Sequence, residues 1–324
     1  MKTNLIIGAG QLGSRHLQGL LKYTANQQQI YVLDPLQLSL DTAAIRADEI
    51  PNTHEVHYIS DWESLPVEFD LVIIATNADV REEILLKLFQ SHKAQFLILE
   101  KVLFQSLDSY SRIEELLEKQ NVMAWVNHPR RMFEPYQQLK NQLNNAQPKI
   151  FQVTGGNWGL GCNGLHFIDL FEFLSGSPIK TIDADWVDSQ ILVSKRKGFI
   201  EFTGSIKGLL NDHSSFQISS LQGEPIAPTI TIFDANSRII IQESGTPQII
   251  RMDKGNGFNP VYIPFTMEFQ SSLTARLAND LFSKGSCNLP VYNEAKHAHK
   301  LFLNAMLKKY NTLTGLNTEI LPIT

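Results

Sequence analysis

Four groups of residues in this chain have the types and spacing to do chemistry. Gly8, Gly10 and Gly13 fill the glycine positions of a G-x-G-x-x-G turn. Where such a turn opens a helix, its backbone N–H groups and the partial positive charge of the helix end face a doubly anionic linker. Gln11 and Leu12, between the second and third glycines, belong to the same cofactor-binding turn. Asp34 lies 21 positions after Gly13 (34 − 13), at the end of a second apolar run. A carboxylate there accepts hydrogen bonds from both ribose hydroxyls of an adenosine and repels a 2′-phosphate, which favours NAD over NADP.

The second group is Lys101, which directly follows an apolar run. A lysine there can hydrogen-bond a substrate hydroxyl or carbonyl oxygen and, once desolvated, share in proton transfer. The same position also suits a lysine paired with Glu100 or Asp79. The third group is His166 and Asp169, three apart and therefore on one face of a helix. Glycine-rich residues 155–164, including Asn163, bring that helix start towards a ligand. His166 suits general acid/base work beside a carbinol and Asp169 can orient its ring, although a histidine among Phe167, Leu170, Phe171 and Leu174 also suits a satisfied core position. The fourth group, Asn127 followed by Arg130 and Arg131, can bind an anionic or polyhydroxylated substrate, or form a hinge whose arginines pair with acids. His297 and His299 lack further ligands at metal spacing and read as a solvated helix face, so no metal site is expected.

These residues need elements to hold them. Residues 5–7 read as a short buried strand, and Leu12, Leu17, Leu20 and Leu21 recur at helical spacing after the turn. Strands follow at 30–33 and 57–60, helices at 36–47, 80–92 and 107–119, and a short capped helix begins at Asp61. Residues 69–75 and 96–99 are continuous apolar runs of the kind found in parallel strands buried on both faces, and 122–126 is a further strand. The alternation predicts a doubly wound parallel sheet, whose ligands sit beyond the carboxyl ends of the strands. Thr76, Asn77 and Glu100 fall at those ends with the glycine turn and Asp34, and are counted as cofactor-binding.

From about residue 149 the texture becomes strand-like: 150–154, 179–186, 191–194, 198–205, 215–220, 229–233, 239–242 and 248–252, with a helix at 164–174 and two closing helices at 266–282 and 293–310. The expectation is an α/β protein: a Rossmann domain at 1–126, then an α+β domain at 127–324 with a large open, mostly antiparallel sheet. The C-terminal helix is a candidate to pack back on the first domain.

With 324 residues and 43% apolar content the chain can bury a core in each domain. A net charge of −5 without a basic run gives no nucleic-acid or anionic-membrane partner. Two distant cysteines argue against a disulfide framework or a zinc site and fit a reducing compartment, the cytoplasm. No apolar run approaches bilayer-spanning length, and the N-terminal one breaks at Gly8, short of a signal-peptide core.

Taken together, these residues resemble the glucose-fructose oxidoreductase, inositol dehydrogenase and rhizopine-catabolism family, abbreviated Gfo/Idh/MocA. The resemblance runs over nearly the whole chain: the glycine turn with His16, Ala75-Thr76-Asn77, Glu100-Lys101, Asn127 and the arginines up to Pro135, and Gly164-x-His166-x-x-Asp169. It implies hydride transfer between NAD and a hydroxyl carbon of a sugar, polyol or nucleotide sugar, with Lys101 and His166 catalytic and Asn127, Arg131, Asn163 and Asp169 at the substrate. It also implies a homodimer or homotetramer built through the second sheet. A carbonyl or imine reductase, or a non-catalytic dinucleotide-sensing protein, are the alternatives. The chain departs from the family at Cys162, where many members have Asp, at Val102, where they have Pro, and at Arg81, where they have His.

Overall fold

The computed structural model describes residues 1–143 and 147–324. The chain divides into two compact units, one of Met1–Phe104, Asp108–Pro129 and Glu268–Glu294, the other of Gln105–Leu107, Arg130–Met267 and Ala295–Thr324.

The first unit opens with β1 (Lys2–Ile7), α1 (Gln11–Leu21), β2 (Gln28–Leu33), α2 (Gln37–Ala47) and β3 (Glu55–Ile59), and continues with β4 (Glu68–Ile74), α3 (Ala78–Ser91), β5 (Lys93–Leu99), α4 (Leu107–Gln120) and β6 (Met123–Val126). The six strands form one sheet in the order β3-β2-β1-β4-β5-β6, every neighbouring pair parallel. Leu71, Val72, Ile73 and Ile74 are fully buried, as a central parallel strand covered by helices on both faces requires. The strand order reverses between β1 and β4, so the turns after these two strands flank the crevice where such sheets hold ligands.

The second unit carries α5 (Glu134–Gln142), β7 (Ile150–Gly156), α6 (Leu160–Ser175), β8 (Ile179–Asp183), β9 (Leu192–Val193), β10 (Ile200–Glu201), β11 (Gly204–Leu210), β12 (Ser215–Leu221), β13 (Ile226–Phe233), β14 (Ser237–Gln242), β15 (Gln248–Asp253) and β16 (Pro260–Pro264). Two long helices follow, α7 (Gln270–Lys284), which belongs to the first unit, and α8 (Tyr292–Thr314). Eight strands pair in the order β16-β15-β14-β13-β7-β12-β11-β8, with β7 and β12 the parallel pair among antiparallel ones. Alternation puts Phe151, Val153, Phe216, Ile218, Ile230 and Ile239 on the buried face. Against that face lies α6, whose Phe171 stacks on Phe151 at 4.7 Å and meets Phe216 at 5.9 Å.

Several local expectations are corrected. Asp61 starts no helix: its carboxylate accepts the backbone N–H and hydroxyl of Ser64, closing a turn instead. The run 198–205 is not one strand: Phe202 and Thr203 separate β10 from β11, which opens at Gly204 with φ +96. The first half, β10, pairs with β9 in a separate two-stranded sheet, and β11 joins the large one. The arginine-bearing linker runs into a helix, α5, with Pro135 in its first turn. The edge strand β16 begins and ends in prolines, which masked it in the sequence. His299 is buried, and His297 bonds the carbonyl of Ile179, so the pair is not a merely solvated face. Among the described residues no helix is long and apolar enough to cross a membrane.

Phe171 is fully buried at the helix–sheet contact. Phe171→Ala is expected to lower stability by about 3–5 kcal/mol in urea unfolding, whereas a loss near zero would show that α6 does not rest on this sheet.

Candidate functional site

In the first unit a candidate nucleotide site is built at the carboxyl ends of β1, β2 and β4. Gly8 has φ +95, a conformation that side chains rarely adopt, and its N–H donates to the carbonyl of Leu33 at 2.8 Å. A Cβ on Gly13 would stand 1.7 Å from the oxygen of Gly8, so the helix start touches the turn itself. A Cβ on Gly10 meets nothing within 4 Å, leaving open space in front of the N-terminus of α1. Asp34 clamps the turn from the side: one carboxylate oxygen accepts the N–H of Ala9 at 2.8 Å, the other that of Leu36 at 2.9 Å. Each of these oxygens keeps a further lone pair. Arg46 reaches from α2 to Ser14 Oγ at 2.6 Å and Gln11 Oε1 at 2.9 Å.

Across the crevice, Thr76 Oγ1 is buried with no hydrogen-bond partner, a condition that is costly unless a ligand or water meets it. An open cradle at Gly10, a helix N-terminus, a clamped carboxylate and this hydroxyl fit an adenine dinucleotide. Gly8, Gly10, Gln11, Leu12 and Gly13 would take its pyrophosphate, Asp34 its adenosine ribose, and Thr76 and Asn77 lie on the opposite lip.

Two buried networks fix the neighbouring strand ends. The Nη1 of Arg81 donates to the carbonyls of Val102 and Leu103, the latter at 2.8 Å, and its Nη2 donates to that of Thr76. This guanidinium, 1% exposed, ties the turn after β4 to the turn that carries Lys101. The Lys101–Val102 peptide bond is cis, and Lys101 is half-buried. Glu100 is held by His16 Nε2 at 2.9 Å and by the Asn127 amide at 2.5 Å. His16 Nδ1 meets Thr274 Oγ1 at 2.9 Å, and Asn127 also bonds Gln270 at 3.1 Å. The amide of Asn127, expected at the substrate, thus serves Glu100 and Gln270, and α7 joins the network.

In the second unit α6 presents a partly exposed stripe of Cys162, Asn163, His166 and Phe173, while Phe167, Ile168, Leu170 and Phe171 are buried. Its first turn is capped from β10: the Glu201 carboxylate accepts the N–H groups of Gly161 at 2.9 Å and Cys162 at 2.7 Å. Burial pushes the Glu201 carboxyl above its ordinary range, against the lowering effect of those hydrogen bonds. Both Asp169 oxygens accept from the Nε of Arg131, at 3.0 and 2.9 Å, and the Arg131 Nη2 stands 2.8 Å from Oδ1 as an ion pair. Burial raises the Asp169 carboxyl even so.

Arg130 pairs with Glu243 through Nε at 2.8 Å and Nη2 at 2.6 Å, Tyr136 donates its hydroxyl to the same carboxylate at 2.7 Å, and the guanidinium lies 4.4 Å from the Phe167 ring centre. Burial alone would raise Glu243, but Arg130 and the two hydrogen-bond donors bring it below the ordinary carboxylate range. A cavity of about 300 Å³ opens beside this pair, lined by Trp158, Asn163, Phe167 and Met267 as well.

The structure therefore gathers the glycine turn, Asp34 and Thr76 at one end of the first sheet, with Glu100, Lys101 and Asn127 on its next strands. It places Asn163, His166, Asp169 and Arg131 in the second unit. Sequence reasoning missed Glu201 and Glu243. Glu201 carried a signal, a lone acid in the apolar run Phe199-Ile200-Glu201-Phe202, since a buried carboxylate demands donors. Glu243, after an ordinary alternating strand, carried none. Among the described residues no group of three or more His, Cys, Asp or Glu is arranged to hold a metal ion.

Residues 2–128 match the family GFO_IDH_MocA, described as an oxidoreductase family with an NAD-binding Rossmann fold. Comparison with curated protein sequences gives no significant match. Among solved structures, the chain is similar to an oxidoreductase from Agrobacterium radiobacter in complex with NAD+, L-tartaric acid and magnesium (TM-score 0.74, 16% identity, 96% of this chain and 97% of that one). It is also similar to a super-repressor mutant of Gal80p from Saccharomyces cerevisiae (TM-score 0.74, 15% identity, 96% of each chain). A third is biliverdin reductase from Synechocystis sp. PCC 6803 in complex with biliverdin and NADP+ (TM-score 0.71, 14% identity, 94% of this chain and 98% of that one). At these identities the likeness shows the fold.

Two outcomes follow from the geometry. Gly10→Ala is expected to cost no more than about 1 kcal/mol of stability, as an N-cap change, while NAD titration shows reduced affinity; Gly13→Ala is expected to lose both. Glu243, with its folded pKa below the unfolded value, contributes stability that is complete above about pH 4.3 and lost as pH falls through the folded value. Glu243→Gln is expected to cost about 3–5 kcal/mol at neutral pH and to flatten this acid limb in pH-dependent urea unfolding.

Proposed function

We propose, from the match of residues 2–128 to the Gfo/Idh/MocA oxidoreductase family, that the chain is an NAD-dependent oxidoreductase acting on a hydroxyl carbon of a sugar, polyol or nucleotide sugar. Residues 1–126 serve the dinucleotide, and 127–324 the substrate and self-association. The observation that carries the reading is the glycine turn clamped by Asp34 opposite the unpartnered Thr76 hydroxyl. When bound, the nicotinamide supplies the hydride acceptor or donor. Asp34 favours NAD over NADP, because a 2′-phosphate would meet its charge.

Lys101 holds the reacting oxygen and balances charge that develops on it. His166, partly exposed on α6 beside Asn163, takes or returns the hydroxyl proton. Arg131 positions this region through Asp169, and Asn163 positions substrate. Exposed Ile150, Leu209, Leu221 and Ile226 on the open face of the large sheet support a homodimer or homotetramer. Two cysteines far apart in the sequence suit the cytoplasm.

The commitment of Asp169 to Arg131 favours a second reading, a dinucleotide-binding protein without turnover. Purified protein with NAD and a panel of sugars, polyols and nucleotide sugars separates the two. Lys101→Ala and His166→Ala are each expected to lower kcat by about 10²–10⁴-fold with NAD affinity unchanged. Unaltered turnover in both variants, or NAD binding with no turnover on any compound, defeats the enzymatic assignment.

A further inference from the structure

By composition, the tandem Arg130-Arg131 can bind an anionic or polyhydroxylated substrate or pair with acids. In the structure both guanidiniums pair with acids. Arg131 is 5% exposed with both Asp169 oxygens on it, and Arg130 makes two charge-assisted bonds to Glu243. The cavity beside Arg130 therefore carries one cation and one anion in direct contact. Its remaining wall is apolar or neutral: Trp158, Phe167, Met267 and Asn163. Trp158 and Phe167 meet edge to face at 5.3 Å, and the Phe167 face is already covered by Arg130. The Asn163 amide gives one N–H to the carbonyl of Trp158 at 2.8 Å, leaving its oxygen and one N–H, both uncharged, for a ligand.

We infer that this cavity selects an uncharged, hydroxyl-bearing ligand and rejects the carboxylate or phosphate form of the same compound. An entering anion would have to compete with Glu243 for Arg130 and would stand beside the Glu243 charge without a free cation; like charges brought together in a partly desolvated site repel strongly. An entering cation meets Arg130 in the same way. A neutral ligand pays neither cost: its C–H face rests on Trp158 and its hydroxyls donate to the Asn163 or Glu243 oxygens. Asn163 and His166 are three residues apart on α6 and share the partly exposed stripe. A ligand in this cavity therefore lies along the helix face that carries the proposed proton-transfer residue. The inference rests on the oxidoreductase reading only for that last step.

The test uses the intact chain with NAD and matched pairs differing in charge: glucose with glucuronate and glucose 6-phosphate, and myo-inositol with myo-inositol 1-phosphate. Binding is read from quenching of Trp158 fluorescence, with Trp158→Phe as the control that removes this signal, and turnover from NADH absorbance. A neutral member is expected to bind at least tenfold more tightly than its acid, and Glu243→Gln is expected to close that gap by freeing Arg130. An acid that binds wild-type protein as tightly as its neutral partner overturns the inference, as does the absence of Trp158 quenching by every neutral member. The wild-type comparison decides the matter whether or not Glu243→Gln folds. Selective quenching without NADH formation leaves charge selection standing and removes the oxidoreductase reading, so the two failures are distinguishable.

Discussion

The approach of α1 to the first turn is the constraint on which the nucleotide half depends. With a Cβ at Gly13 placed 1.7 Å from the Gly8 oxygen, no other residue fits there. That contact aims the N-terminal N–H groups of α1 at the crevice between β1 and β4, where the order of the parallel strands reverses. Asp34 then locks the turn by taking the N–H of Ala9, so the residue that would read the ribose also holds the loop that would take the pyrophosphate. The candidate ribose contact and the local structure would share one carboxylate.

The same pattern recurs in both units, where several buried charged residues each meet a partner. Glu100 answers to His16 and Asn127, Glu201 to the first turn of α6, Asp169 to Arg131, and Glu243 to Arg130 and Tyr136. Arg81 is satisfied by backbone carbonyls from two adjacent strand ends. Such pairs contribute little net stability compared with an apolar core, but removing one partner leaves an uncompensated charge. In this chain they stitch together the loops that the site uses. The helix bearing His166 is capped by an acid nearly forty residues away, and the Lys101 turn is tied to the Thr76 turn.

The parallel half was readable from the sequence because each buried strand is a continuous apolar run and each loop at a carboxyl end carries its own signal: glycines after β1, an acid after β2, Glu100-Lys101 after β5. The second half was readable as a sheet, since alternation survives in β7, β12 and β13, but not in its details. One apparent strand is interrupted at Phe202 and Thr203, and the prolines bounding β16 hide another. Pairings such as Arg131 with Asp169 and Arg130 with Glu243 join residues 38 and 113 positions apart. Only the tertiary fold decides whether an arginine beside a cleft is open to an anion or already paired, and here both arginines pair with acids, one of the two roles the linker's composition allowed.

The claim that an adenine dinucleotide lies on the Gly8–Gly13 turn with its ribose at Asp34 is tested most directly by calorimetric titration of the intact chain with NAD and, in parallel, NADP. The account predicts saturable binding of one NAD per chain and at least tenfold weaker binding of NADP, about 1.4 kcal/mol or more of discrimination. No saturable heat with NAD, or NADP binding as tightly, would contradict it.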